Sequence, residues 1–196
     1  TCHIPTFARK FPTKMEWDWS QAGEANRKES SHDYLKIKGA FTYEKNVIPE
    51  YAWYNGKMNR YVNGDKLDSL KDQAINSPLG SREDKNAKIW PFKVHRGKQI
   101  YDAVNKIILT PVTSGEDGYW TKFDWDLAVR KGAQLAGLPY SGKYSFVQTH
   151  MYWPLSHMAA PANQALSCES CHSSDASSSG RLNWKALGYE KDPSGG

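Results

Sequence analysis

Cys168-Glu169-Ser170-Cys171-His172 is the stretch on which the reading of this chain turns. Cys-x-x-Cys-His is the signature of covalent c-type haem attachment. Two thiols add across the two porphyrin vinyl groups, and the adjacent histidine becomes the proximal iron ligand. The spacing is demanded by the chemistry, because both sulfurs must reach one macrocycle while the imidazole points at its metal. The competing reading is half of a zinc site, which needs two further Cys or His ligands. No second Cys pair exists to complete it, although histidines are present. With three cysteines in all, Cys2, Cys168 and Cys171, a disulfide framework explains little.

The chain begins Thr1-Cys2-His3, the last three residues of another such motif. In a chain that carries one full motif, this reads as the end of a second haem-binding segment, with its other thioether outside the sequence. The expected cofactor is haem c, one at Cys168, Cys171 and His172 and a second at Cys2 and His3. More haems are expected in a longer parent protein, of which this would be a piece.

Low-spin electron-transfer haems usually take two axial ligands, so the six histidines matter. His3 and His172 are the proximal candidates, which leaves His32, His95, His150 and His157 as distal candidates. Two haems need two of these, and the others are available to irons bound elsewhere. His157 stands just before the motif in Trp153-Pro-Leu-Ser-His157-Met158, with Met151 and aromatic residues near in sequence. His95 lies in Trp90-Pro-Phe-Lys-Val-His95-Arg-Gly-Lys, flanked by bases suited to haem propionates. His150 precedes His157 by one helical repeat, but Pro154 breaks any such helix. His32 follows a polar, Ser-rich stretch. Met151 and Met158 are the alternative axial ligands.

Composition bounds the fold. Of 196 residues only 39% are hydrophobic, with 8 Trp and 11 Tyr supplying much of the apolar area, and mean hydropathy is −0.74. Such a chain is expected to lean on a flat aromatic cofactor for its core. The expected class is a multihaem cytochrome c, mostly irregular and loop-rich, with a few short helices and short strands packed around haems. Residues 4–33 read as irregular, 34–48 as one or two short strands, 55–84 as turns, and 100–112 as a strand-type segment. A helix is predicted over 124–136, capped by Asp124, with Trp125, Ala128 and Leu135 on its apolar face and Gly137 and Pro139 ending it. Residues 173–180 are Ser-rich and expected to be mobile, and 181–189 read as a docking segment. The whole of 1–196 is expected to be one haem-wrapping portion, with 173–196 as its tail.

The net charge of +5 is spread along the chain, with no basic run longer than two residues. That argues against a nucleic-acid tail or a polybasic membrane anchor. No apolar run approaches the roughly 18 residues of a membrane span, and no stretch reads as a secretory leader, so the sequence is expected to be mature, processed or truncated.

Four stretches carry a family resemblance: Phe11-Pro-Thr-Lys-Met-Glu-Trp17-Asp-Trp19, Ile89-Trp-Pro-Phe-Lys-Val-His95-Arg-Gly-Lys-Gln99, Met151-Tyr-Trp-Pro-Leu-Ser-His157-Met158 and Gly180-Arg-Leu-Asn-Trp-Lys-Ala-Leu-Gly-Tyr189. Over nearly its whole length, in order, the chain resembles the C-terminal part of the octahaem tetrathionate reductase family. The resemblance implies a periplasmic or cell-surface protein with closely packed, mostly bis-His haems, able to reduce tetrathionate or small nitrogen compounds. The family's substrate-binding haem lies in the N-terminal half, so no catalytic residue transfers to this chain. His3, His172, His95 and His157 do transfer, while the missing first Cys before Cys2 departs from the pattern. The implied partners are the rest of a parent multihaem chain, redox proteins and a second copy of the protein. Three functions compete: relay to a reductase site elsewhere, a haem conduit without substrate chemistry, and a zinc-stapled binding module.

Overall fold

Phe92, Val94 and Ile100 are buried, each an even number of residues from the next, which is the signature of a strand with one face on a core. The computed structural model describes residues 1–68, 71–172 and 180–194. Its strands are β1 (Thr13–Asp18), β2 (Tyr34–Leu35), β3 (Gly39–Glu44), β4 (Glu50–Tyr54), β5 (Met58–Arg60), β6 (Gln73–Ala74), β7 (Asn76–Pro78), β8 (Lys88–Asp102) and β9 (Tyr144–Pro154). Two helices, α1 (Tyr119–Lys122) and α2 (Trp125–Ala136), lie between β8 and β9.

The organising element is the antiparallel pair of β8 and β9, in register from Phe92 opposite Pro154 to Asp102 opposite Tyr144. The other edge of β8 is shared. Its first residues pair antiparallel with β4, and Arg96–Lys98 pair parallel with β1. The mixed seven-stranded sheet runs β2-β3-β1-β8-β9-β6, with β4 on β8, while β5 and β7 form a separate ribbon.

The chain is therefore sheet-rich, and the loop-rich fold with short strands expected from composition is wrong. Trp, Tyr and Phe counted there as a shortage of aliphatics, but they are good strand formers when they alternate with polar residues. In β8 and β9, strands of 15 and 11 residues, Trp90 and Phe92, and Tyr144, Phe146 and Tyr152, stand at even spacing. Thr13–Asp18, expected to be irregular, is a strand between β3 and β8. The 100–112 segment contributes only its first three residues to β8. Ile107–Leu109 instead fold back onto the end of β8, through a Tyr101–Ile108 bridge and a hydrogen bond from Leu109 N to Ile100 O at 3.1 Å.

At that turn Asp102 is completely buried. Its carboxylate accepts from the backbone N–H groups of Val104, Asn105 and Ser141 at 2.9, 2.7 and 2.6 Å, and from the Ser141 hydroxyl at 2.8 Å. One side chain thus ties the end of β8 to the approach to β9. Burial alone would raise its pKa, but these donors win and hold the carboxyl below its ordinary value.

α2 begins where Asp124 Oδ1 accepts from Leu127 N at 3.0 Å and ends at left-handed Gly137 (φ 66°). Its buried face is Trp125, Ala128, Val129, Gly132 and Ala133. Leu135, expected on that face, is 81% exposed, because it lies off the 125, 128/129, 132/133 stripe. This face packs on Ile100, Leu109 and Tyr119 to make one apolar cluster. Of residues 173–180, expected to be mobile, 173–179 lie outside the described residues. Among the described residues no helix is long and apolar enough to cross a membrane.

Candidate haem-attachment site

The Cys168–Ser170 segment forms a single 3-10 turn, with Cys171 N and His172 N both donating to Cys168 O at 3.1 and 2.8 Å. Local hydrogen bonding thus fixes the spacing of the two thiols and the imidazole. Cys171 is buried with Leu182 and Leu187, against Trp53, Ile89, Trp184 and Tyr189, while Cys168 is exposed. Burial, then the nearby Cys2 thiol, pushes the Cys171 thiol above its ordinary pKa. Beside it the Tyr51 hydroxyl is buried without a hydrogen bond. Burial raises its pKa and the Arg181 guanidinium pulls the other way.

The Cys2-His3 segment sits next to this turn. Cys2 O accepts from Leu166 N at 2.9 Å, His3 O accepts from Ala160 N at 2.6 Å, and Arg181 spans both segments by donating to Pro5 O. The structure therefore brings together the two segments that sequence reading singled out separately.

His172 is held on two sides. Its Nδ1 donates to Asp192 Oδ1 at 2.7 Å, and its ring stacks on Trp184 with centroids 4.9 Å apart. Sequence reading missed Asp192, which lies twenty residues beyond its partner with no motif to mark it. Docking makes the contact possible: Trp53 Nε1 donates to Leu187 O at 2.9 Å, and the Arg82 guanidinium lies 4.7 Å from the Tyr189 ring centre.

The distal candidates are spread over the sheet. His95 pairs with Met151 across β8 and β9, and both line a cavity of about 230 Å³ with Trp17, Trp19 and Thr149. Met151 thus neighbours His95 rather than His157. Burial, then Lys93 and Lys14, lowers the His95 pKa and favours the neutral, ligating imidazole. His157 is exposed and lines an open groove of about 580 Å³ with Phe11, Trp153 and Met158. Arg96, suggested above for a propionate, alternates to the face away from His95 and pairs with Glu50 at 2.7 and 3.1 Å. His150 pairs with Arg96 in the sheet, and its Nδ1 is 2.9 Å from Asp72 Oδ2 in a geometry too bent for a hydrogen bond. His32 is exposed on a turn.

Covalent haem requires free thiols and a histidine with one ring nitrogen to spare. Cys2, Cys168 and Cys171 are free, and Asp192 takes Nδ1 of His172, which leaves Nε2 available to a metal. The donor set fits haem c. Among the described residues no group of three or more His, Cys, Asp or Glu side chains is placed to hold a metal ion.

The sequence matches the family described as bacterial cytochrome c over residues 14–175. The chain belongs to that family. As a member, the cytochrome carries covalently bound haem c and works by haem-based electron transfer. Its fold matches a solved octahaem cytochrome c from Shewanella oneidensis with a TM-score of 0.93 and 48% identity, over 100% of this chain and 46% of that one. The cytochrome thus spans just under half the length of that relative. No curated protein matches it.

Proposed function

We propose that this chain is the relay portion of a multihaem oxidoreductase, holding one haem through Cys168, Cys171 and His172 and another through the segment of Cys2 and His3. The observation that carries the reading is the packing of the Cys168–His172 turn against the Cys2-His3 segment, since close haems exchange electrons fastest. Haem c supplies reversible one-electron exchange between Fe(III) and Fe(II). His172 and His3 would be the proximal ligands and His95 and His157 the distal ones; His95 lines a cavity that His150 also borders, and His157 lines the open groove. His150 and His32 complete the set for irons bound elsewhere. Lys93, on the same sheet face as His95, is the base placed to meet a propionate.

The resemblance to octahaem tetrathionate reductase supports placing the protein in the periplasm or at the cell surface, with redox proteins or a second copy as partners. It also supports substrate reduction by a part of the polypeptide outside this chain. The test uses the full-length protein. Mass analysis should find haem on the peptide containing Cys168 and Cys171, and C168A/C171A should lose that one haem. Reduced viologen should pass electrons to tetrathionate through the wild-type protein. A 168–172 peptide without haem overturns the assignment. Haem-loaded protein that reduces neither tetrathionate nor hydroxylamine overturns the oxidoreductase reading and leaves a conduit.

A further inference from the structure

We propose that Asp192 is a positioning residue that sets the His172 iron at a lower reduction potential than the His3 iron, so that electrons run from the C-terminal motif towards the N-terminal segment. The inference rests on both histidines being proximal ligands.

The two imidazoles differ in what their Nδ1 atoms meet. At His172 the acceptor is the Asp192 carboxylate, at 2.7 Å and with its side chain only 15% exposed. At His3, an exposed residue, it is the neutral carbonyl of buried Ala160, at 3.3 Å. A carboxylate partner pulls the Nδ1 proton towards itself and leaves the ring richer in electrons. The ring then donates more charge through Nε2 and favours Fe(III) over Fe(II). A carbonyl at 3.3 Å does this weakly. The partly buried carboxylate is also poorly screened, which keeps the effect from being diluted by solvent.

The carboxylate is itself aimed. Ser194 N and Ser194 Oγ both donate to Asp192 Oδ1 at 2.9 Å. Trp184, stacked on the imidazole, fixes the plane of the ring, and Tyr189 packs edge-on against Trp184 at 5.5 Å. The transfer itself is balanced. One electron leaves Fe(II) at His172 and reduces Fe(III) at His3, and no proton is exchanged.

The test is potentiometry of the full-length protein monitored by electron paramagnetic resonance. The His172 haem signal is identified by its loss in C168A/C171A. D192N should raise the potential of that haem, with a tenfold larger Fe(II) to Fe(III) ratio at the wild-type midpoint (59 mV for one electron). D192E should restore most of the difference. S194A removes a donor from Asp192 Oδ1, strengthens its pull on His172, and should move the potential the opposite way. This sign reversal would not follow from a merely structural role. Haem retained on the 168–172 peptide with an unmoved potential in D192N overturns the inference and leaves the haem assignment standing. Should D192N fail to mature, an unchanged or raised potential in S194A overturns it instead. No haem on the wild-type peptide means that the assignment beneath it has failed.

Discussion

Along β8 and β9 eleven residue pairs run without a break. Where residues 1–9 meet 155–172, single hydrogen bonds such as Ala160 N to His3 O and Leu166 N to Cys2 O replace the ladder. The sheet body has conventional apolar clusters, among them Ile100, Leu109, Tyr119 and α2. The cluster around Cys171 has three buried members, one of them a cysteine, rimmed by half-buried aromatic rings. The body thus has the attributes of a domain that folds on its own ladder and core. The terminal strap has few backbone bonds and a small core, so covalent haem should contribute much of its order. The candidate attachment turn sits in the less self-sufficient region, as binding sites commonly do.

The sharpest way to break this contrast is C168A/C171A. Limited proteolysis of the full-length protein should then cut 155–194 many times faster than wild type, with β8 and β9 as protected as before. Equal acceleration in both regions would show that the body also depends on that haem. The converse substitution is Phe92→Ala. Phe92 is fully buried, with Tyr54 and Tyr152 edge-on at 5.6 and 5.5 Å. Its loss should cost about 3–5 kcal/mol in chemical unfolding of the body, with the haem count of the 168–172 peptide unchanged.

The smallest effect concerns Asp102. Its folded pKa is depressed, so its contribution is fully present above the unfolded value near ~3.9 and is lost as pH falls through the folded one. D102N should destabilise the body at pH 7 by about 1–3 kcal/mol, because the network keeps its donors but loses a charged acceptor. The gap between D102N and wild type should close on acidification below about pH 4. A gap that stays constant from pH 7 to pH 3 would mean that the charge contributes nothing.

The candidate site could be named from the sequence because the pattern that proposes it is local. Two thiols and an imidazole within five residues satisfy one porphyrin whatever the rest of the chain does, and Cys2-His3 repeats part of that pattern. The ends of α2 were equally local, resting on Asp124 and Gly137. The rest of the fold was not legible from composition. Aromatic strands look poor in aliphatics until partners are assigned, and β1 reads as loop until β3 and β8 flank it. Leu135 shows the limit even inside a helix, where the apolar stripe is decided by what packs on it.

The sequence by itself determined the Cys-x-x-Cys-His spacing and the capped helix, because each depends on contacts a few bonds apart. Only the tertiary structure decided that His95 shares a cavity with Met151, that Arg96 is taken by Glu50, and that Asp192 reaches His172. Those choices close loops of many residues. Their free energy comes from the ladder and from docking of Trp53 on Leu187, so nothing in the spacing of the partners announces them.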